Sequence, residues 1–193
     1  MYVRDARNRD EVWLLDHIEG MNLDETAFRS RDYVIAVDEA ENERAGFGRV
    51  RIHKTDDGEV CELTSIGVLE EWRGQGVGAH VVERLVTTAR DDGFAEVYAL
   101  TGEPDYLRQF GFERIQVSQL PDRLQQRLAD KQEATAPDAV PMRIDPERFH
   151  MPSRLREAFK GARAREEDDD EPEEGPEDFG IDPDEATYKY DTG

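Results

Sequence analysis

The sequence predicts a mixed α/β domain with a central, mostly antiparallel β-sheet flanked by helices, followed by an acidic, disordered tail. Two hairpins indicate the antiparallel sheet, because turn residues at positions 42–43 and 56–58 separate segments of strand-like composition. Apolar residues at helical spacing indicate the helices, most clearly over residues 81–89 behind a cluster of glycines. The tail is indicated from residue 166, where acidic residues, proline and glycine replace apolar residues.

The first third of the chain is predicted to form a strand, two helices and three paired strands. Residues 2–4 have strand composition, and Asp10 can cap the helix that follows. The apolar face of that helix is formed by Val12, Leu15 and Ile18. The remaining elements are a short helix over residues 22–29 and strands over residues 33–37, 46–53 and 60–68. The strand over 33–37 is an unbroken apolar run, which is expected at the sheet centre.

The second part of the chain is predicted to alternate between helices and strands. Five apolar side chains share one face of the helix over residues 81–89, and Gly93 is placed to end it. We therefore predict a domain over residues 1–150, an amphipathic basic helix over 151–165 and the tail over 166–193. The later elements are a strand over 95–100, a helix over 105–110, a strand over 112–117, a helix over 120–131, a linker over 134–141, a last edge strand over 142–145 and a helix over 153–165.

Composition restricts the class of protein. Cys61 is the only cysteine among 193 residues, which excludes an internal disulfide and a cysteine-rich metal site and agrees with a reducing compartment. The chain contains neither a signal-like apolar run nor an apolar stretch of about 20 residues. We therefore expect a cytoplasmic protein that does not span a membrane. Oligomeric state is not predicted.

The charge distribution is strongly acidic, with a net charge of −21. From Ala164 onward there are 14 acidic and two basic residues, and the preceding 163 residues carry 32 acidic and 23 basic ones. Only four lysines accompany 21 arginines. An acidic, lysine-poor surface suits molar salt, where the Debye length falls to about 3 Å and self-repulsion is screened. We therefore predict a salt-loving source, which denaturation at graded KCl concentrations can check; a mesophilic protein with an acidic tail is the alternative.

The same charges bear on macromolecular partners. No lysine–arginine cluster dominates the body, which disfavours nucleic acid as a partner. The tail is interpreted first as a solvated segment that aids solubility. Its apolar residues also allow a short docking motif, and its acids could instead fold back on the basic residues of 154–165. The apolar tail residues are Phe179, Ile181, Tyr188 and Tyr190.

The glycine cluster at residues 73–78 is the main candidate for a binding site. Gly74, Gly76 and Gly78 stand directly before a helix and lack side chains that would cover its first-turn amides, where anions bind. Arg73 adds a charged donor. A tight helix-packing turn is the alternative structural explanation. A Walker loop is excluded because no Gly-Lys-Ser/Thr follows, and a dinucleotide fingerprint is disfavoured because residues 70–73 separate it from the preceding strand.

The segment 73–78, Arg-Gly-Gln-Gly-Val-Gly, resembles the Arg/Gln-x-x-Gly-x-Gly/Ala signature of the GNAT superfamily of N-acetyltransferases. The neighbouring segments agree: "CELTSIGVL" precedes the glycines, while "EVYALT" and the aromatic-rich "DYLRQFGFERI" follow the helix. The resemblance covers residues 1–118 in the order of elements and 60–115 in motifs. It implies acetyl-CoA as co-substrate. No metal is expected, because the four histidines, at positions 17, 53, 80 and 150, have no metal-ligand spacing.

The resemblance also implies roles for individual residues. The coenzyme pyrophosphate would lie on the amides of residues 73–78, and pantetheine would run along residues 66–68 like an added strand. The Ile66 amide would polarise the thioester carbonyl, and Glu62 matches a position at which several histone acetyltransferases use a glutamate as general base. Cys61 is expected to be a buried thiol. The residues implied to bind the coenzyme are Ile66, Gly67, Val68, Arg73, Gly74, Gln75, Gly76, Val77 and Gly78.

One position departs from the family pattern. The family often has a tyrosine five residues before the phenylalanine of the terminal Gly-Phe, where it protonates the departing thiolate. Leu107 occupies that position here, and Tyr106 precedes it. One helical residue is a rotation of about 100°, so we expect Tyr106 to point elsewhere. Either Tyr106 acts as an imperfect substitute or water supplies the proton.

The acceptor is the least determined part of the function. The segment that begins with "YALTGEPDYLRQFGFERI" is similar to the acetyltransferase domain of N-acetylglutamate synthase, which implies a small amine acceptor such as an amino acid. A protein or peptide amine, a polyamine or a foreign amine remain alternatives, as does a non-catalytic CoA-binding scaffold that uses the tail for docking. Candidates for a cationic clamp on an acceptor carboxylate are Arg29, Arg31, Arg49, Arg51 and Arg108.

Overall fold

The computed structural model describes residues 1–164, so the acidic tail predicted over 166–193 lies outside the described residues. Residues 1–164 form seven strands and five α-helices. The strands are β1 (Tyr2–Asp5), β2 (Tyr33–Val37), β3 (Arg44–Thr55), β4 (Gly58–Val68), β5 (Val97–Thr101), β6 (Glu113–Arg114) and β7 (Val140–Ile144). The helices are α1 (Glu11–Gly20), α2 (Val77–Asp91), α3 (Pro104–Arg108), α4 (Asp122–Ala134) and α5 (Ser153–Lys160).

All seven strands belong to one sheet with the order β1-β2-β3-β4-β5-β7-β6. Every pair is antiparallel except β4 and β5, which confirms the predicted mixed and mostly antiparallel sheet. The parallel pairing of β4 with β5 covers only Cys61 to Leu63, although β4 continues to Val68. The last five residues of β4 are therefore unpaired on the β5 side, and the sheet opens there.

Helix α2 covers one face of the sheet. Its apolar face, which includes Val81, Leu85 and Ala89, is fully buried against the strands. Gly48 allows the close approach, because a Cβ there would lie 2.6 Å from Val81 Cγ1. Cys61 belongs to this core, and its burial raises the pKa of the thiol to about 12, as expected for an inert cysteine.

The opposite face of the sheet has two apolar regions with a charged strip between them. Helix α1 contributes Leu14 and Ile18 to the cluster over β2 and β3, whereas α4 contributes Leu124 and Leu128 to a cluster over β5. Between them, Arg49, His53 and Glu62 are buried charged or polar side chains of β3 and β4. Buried polar groups need partners, so this strip directs attention to the sheet centre as a functional region. None of the helices in residues 1–164 is long and apolar enough to cross a bilayer.

Several local predictions in the N-terminal part were wrong. The buried face of α1 carries Leu14 rather than Val12, whose side chain is 71% exposed. Asp10 occupies the N-cap position of α1, as predicted, but its carboxylate makes no capping hydrogen bond to the helix and accepts instead from Arg4, Arg44 and the Arg7 amide. Burial by itself would raise the pKa of Asp10, but these donors lower it well below the usual range.

Residues 22–29 form a loop rather than the predicted helix. Asn22 and Ala27 have positive φ angles of 51° and 52°, which a helix does not allow. The loop carbonyls are bound from the sheet: Arg49 donates to Thr26 O (2.8 Å) and to Ala27 O (2.6 Å). Tertiary hydrogen bonds thus replace the local bonds of a helix.

The predictions for the last strands were also incomplete. The strand expected over residues 112–117 is reduced to the two residues of β6. Strand β7 was expected at the sheet edge, but it lies between β5 and β6 and pairs with both. Helix α5 was expected over residues 153–165 and ends at Lys160.

Candidate active site

A groove of about 820 Å³ lies at the opening between β4 and β5. It is bounded by the end of β4, the glycine segment before α2, helix α3 and the start of α5. Eight of the nine residues predicted to bind a coenzyme line it: Ile66, Gly67, Val68, Arg73, Gly74, Gly76, Val77 and Gly78. The exception is Gln75, whose amide side chain donates to the carbonyl of Arg163 (2.7 Å) and accepts from the amide of Arg163 (3.0 Å).

The glycine segment presents unpartnered amides at the start of α2. Gly76 has φ +76° and is the residue from which α2 begins. Within residues 1–164, none of the amides of residues 74–79 donates to a backbone carbonyl. In contrast, the Arg73 amide donates to Glu70 O at 3.1 Å and the Arg73 Nε donates to Val68 O at 3.2 Å, so Arg73 offers only the terminal N–H groups of its guanidinium to a ligand. Free amides at the positive end of a helix dipole favour an anion such as a pyrophosphate.

Tyr106 points into the groove, so the prediction that it points elsewhere was wrong. Helix α3 buries Leu107 in the main core at 4% exposure, and this rotation turns Tyr106 towards α2. A Cβ added to Gly78 would lie 2.7 Å from the Tyr106 hydroxyl oxygen. Burial raises the pKa of Tyr106 to about 12. The hydroxyl therefore keeps its proton at neutral pH and can donate it.

Glu62 is fully buried at the centre of the charged strip. Its Oε2 accepts a hydrogen bond from Arg127 Nε at 2.7 Å and lies 2.7 Å from His53 Nε2. Desolvation would raise its pKa, but the hydrogen bond with His53 and the charge of Arg127 lower it overall. The carboxylate is therefore ionised at neutral pH. Its Oε1 has no hydrogen-bond partner in the part of the chain that the structure describes.

A second cavity of about 190 Å³ adjoins this charged strip, and cationic side chains dominate its wall. An engineered cavity of about 150 Å³ holds benzene, so a small molecule of similar size fits here. The charged residues of its lining are Asp24, Arg51, Arg123, Arg127, Asp130 and Lys131. Arg127 also forms an ion pair with Asp24.

Only one of the five predicted clamp arginines, Arg51, lines this cavity. Arg49 is buried and holds the loop over residues 22–29, and Arg108 forms an exposed pair with Asp105 at 2.8 Å. Arg29 and Arg31 do not line the cavity either. The sequence reasoning missed the three cations on α4: Arg123, Arg127 and Lys131. Their i, i+4 spacing, which puts them on one helix face, was the available signal.

No residue lines both cavities, but one segment borders each of them. Met21 and Leu23 line the groove, whereas Asp24 and Thr26 line the smaller cavity. Strand β4 bulges at Ser65, which has φ 50° and lies where the pairing with β3 shifts register. Glu62 and Thr64 therefore face the charged strip, whereas Ile66 packs on the α2 side of the sheet. Thr64 Oγ1 lacks a hydrogen-bond partner among the described residues. Within residues 1–164, no group of three or more His, Cys, Asp or Glu is arranged to hold a metal ion.

Comparison with known proteins agrees with this geometry. The acetyltransferase (GNAT) family matches residues 2–116. An uncharacterised N-acetyltransferase of Chlorobaculum tepidum is 29% identical over 65 residues, a match that covers 34% of this chain and 42% of the relative. The chain thus aligns with less than half the length of this curated relative.

Two solved structures share the fold. N-acetylglutamate synthase of Neisseria gonorrhoeae, complexed with coenzyme A and N-acetyl-glutamate, gives a TM-score of 0.59 at 15% identity, over 73% of this chain and 34% of that chain. A Mycobacterium tuberculosis protein complexed with CoA gives a TM-score of 0.61 at 17% identity, over 75% of this chain and 99% of that chain. The family match includes more than half of the residues, from β1 through the glycine segment to β6, and so the chain belongs to the acetyltransferase (GNAT) family.

Proposed function

We propose that this chain transfers the acetyl group of acetyl-CoA to the amine of a small acceptor that carries a carboxylate, such as an amino acid. The observation that carries the proposal is a pair of cavities bordered by the same segment, residues 21–26: a groove that ends on unpartnered amides and a smaller pocket walled by cations. The relatives support the first half of the proposal, since the family and the Chlorobaculum protein are N-acetyltransferases and two neighbours were solved with CoA.

The groove fits the coenzyme in two respects. The amides of residues 74–79 have no backbone acceptor and are available to the diphosphate, and Gly76 and Gly78 lie where a side chain would enter occupied space. Beyond Leu63, the free side of β4 offers its backbone to pantetheine as an added strand would. In this arrangement the Ile66 amide polarises the thioester carbonyl.

The reaction needs a group that accepts a proton and one that donates a proton. The amine nitrogen forms a bond to the carbonyl carbon while the carbon–sulfur bond breaks. The amine proton is passed through water to Glu62 Oε1. The water lies beside Thr64, because Thr64 Oγ1 and Glu62 Oε1 both lack a hydrogen-bond partner among the described residues. The departing thiolate takes its proton from the Tyr106 hydroxyl, which lines the groove.

The cationic pocket favours an anionic acceptor. Arg51 Nη1 is buried and has no hydrogen-bond partner among residues 1–164, although it lies 3.7 Å from the Asp24 carboxylate. A carboxylate on the acceptor would satisfy this donor with the bidentate geometry that guanidinium groups provide. A polyamine would instead place additional cations beside Arg51 and Arg127 at short range, which is unfavourable.

An acceptor survey tests this proposal. Thiol release from acetyl-CoA should be fastest with glutamate or another amino acid and slow with spermidine or a lysine peptide. Arg51→Leu should raise the acceptor KM by at least about tenfold, the value of one charge-assisted hydrogen bond, and leave the acetyl-CoA KM unchanged. Arg108→Leu, which removes a surface arginine, is the matched control. Faster turnover of the polyamine would contradict the acceptor class, and CoA binding without turnover of any amine would indicate a non-catalytic scaffold.

Tyr106→Phe tests the proton donor. Loss of the hydroxyl should lower kcat about 100-fold, the lower end of general acid–base contributions, with the affinity for CoA almost unchanged. Tyr98→Phe is the control, because the Tyr98 hydroxyl donates to Glu96 (2.8 Å) and does not line the groove. An unchanged kcat in Tyr106→Phe would assign protonation of the thiolate to water.

A further inference from the structure

Helix α5 lies beyond the part of the chain that matches the family, yet it is built onto the glycine segment. A Cβ at Gly76 would overlap the carbonyl oxygen of Leu155, so the two backbones are in close contact. Phe159 stacks on His80 of α2 with ring centroids 3.7 Å apart and an interplanar angle of 7°. Gln75 makes two hydrogen bonds with the backbone of Arg163. These contacts fix α5 against the first turn of α2.

Arg154, in the first turn of α5, lines the groove together with Arg73, Gly74 and Gly76. Its Nη2 donates to the neutral Oε1 of Gln109 at 2.6 Å. Burial raises the pKa of Tyr106, and the positive charge of Arg154 lowers it in part, as expected for a cation that lines the same groove.

The other cations of α5 have acidic partners. Arg156 forms an ion pair with Glu83 (2.7 Å) and Lys160 with Glu157 (2.8 Å). No carboxylate lies within 4.0 Å of the Arg154 guanidinium in residues 1–164. Arg154 is therefore the α5 cation whose charge is not neutralised by these residues, and it is the one that faces the groove.

We propose that Arg154 binds the diphosphate of the coenzyme, so that α5 supplies a side-chain wall to the anion site formed by the amides of residues 74–79. This inference rests on the proposed use of the groove for CoA. A guanidinium group binds two phosphate oxygens at once through parallel N–H groups, in addition to the hydrogen bonds that the amides donate. Neighbouring phosphates carry two negative charges, and Arg73 and Arg154 supply two positive ones at the groove.

Calorimetric titration of the full chain with CoA, 3′-dephospho-CoA and pantetheine tests this assignment. Arg154→Gln should weaken CoA about tenfold, as expected for the loss of a charge-assisted hydrogen bond. Dephospho-CoA keeps the diphosphate and should show the same loss, whereas pantetheine should bind the wild type and the variant equally. Arg154→Lys should restore part of the affinity, because it keeps the charge but not the planar fork. Arg156→Gln, which removes an arginine one residue beyond Leu155, should bind as the wild type does.

Each alternative outcome overturns the assignment in a recognisable way. Equal affinity of Arg154→Gln and the wild type removes Arg154 from the site. A loss seen with CoA but not with dephospho-CoA places the residue at the 3′-phosphate instead. Equal losses in Arg154→Gln and Arg156→Gln indicate a general effect of charge or of α5 packing. If the wild type itself shows no heat with CoA, the proposed function fails together with this inference. If the wild type binds CoA, the variants test the role of Arg154 alone.

Discussion

Replacing Gly76 with alanine is expected to lower both the stability of the fold and the affinity for CoA. At φ +76°, an L-residue other than glycine costs about 1–2 kcal/mol. The added Cβ would also overlap the Leu155 carbonyl oxygen, and a backbone atom cannot move aside as a side chain can. Helix α5 must therefore shift away from α2. The first-turn amides move with the strained residue, so CoA should bind at least about tenfold more weakly, the equivalent of 1.4 kcal/mol.

Gly93 provides a matched control for this substitution. It has φ +87°, but a Cβ there would meet no atom within 4 Å. Gly93→Ala thus measures the backbone strain alone, without a clash and away from the groove. Denaturant unfolding should show a larger loss for Gly76→Ala than for Gly93→Ala, and calorimetry with CoA should detect a loss only for Gly76→Ala. Comparable stability and undiminished CoA binding in Gly76→Ala would contradict the close packing of α5 on the glycine segment.

The elements predicted correctly are those whose signal is local. The turns around residues 42–43 and 56–58 lie between paired strands, because turn residues determine hairpins over a few positions. Gly93 does follow the end of α2 with positive φ, as a helix-terminating glycine should. The glycine segment was recognised for the same reason, since an exposed first turn is a property of a few consecutive residues.

The elements predicted wrongly depend on contacts between distant residues. The loop over residues 22–29 has a helix-compatible composition, but Arg49 and Ser65 of the sheet bind its carbonyls. Tyr106 was expected to point away from the groove because it lies one helical residue before the position of the family's tyrosine. The burial of Leu107 in the core determines instead how α3 is turned. The insertion of β7 between β5 and β6 is a choice of strand order, which alternation within a strand does not encode.

The acceptor pocket shows the same limit. Glu62 was predicted as a candidate general base, but its partner Arg127 is 65 positions away on α4. Helix α4 itself was predicted, and its cations have regular spacing. What the sequence lacked was the packing of that helix over the charged strip of the sheet. A search for cationic side chains on one helix face would have named Arg127 and Lys131 as candidates, although not their target.

Glu62→Gln is expected to produce the largest loss of stability in the charged strip. Glu62 and Asp24 are the anions that offset Arg51, Arg127 and Lys131 there. Removing one partner of a buried ion pair costs about 3–5 kcal/mol, a large share of the roughly 5–15 kcal/mol that stabilises a domain. Because the folded-state pKa of Glu62 lies below its reference value of 4.5, its contribution is complete above pH 4.5 and is lost as pH falls through the folded pKa. Denaturant unfolding should therefore show a constant difference between wild type and variant at neutral pH, which shrinks in acid.

A role in proton transfer is separable from this structural role by the pH dependence of the rate. If Glu62 accepts the amine proton through water, the wild type acts on the protonated acceptor, whereas Glu62→Gln acts only on the free amine. Below an amine pKa near 8–10, the fraction of free amine rises about tenfold per pH unit. The wild-type advantage per folded molecule should then be on the order of 100-fold at pH 7 and decrease steadily towards pH 9. Asp24→Asn is the matched control, because it removes an anion bound to the same Arg127 without removing the proton acceptor. Its rate should keep the pH profile of the wild type, even where the acceptor KM changes. A ratio between wild type and Glu62→Gln that does not vary with pH would restrict Glu62 to holding Arg127 and His53 in place, because a residue that only positions its neighbours affects the protonated and free acceptor alike.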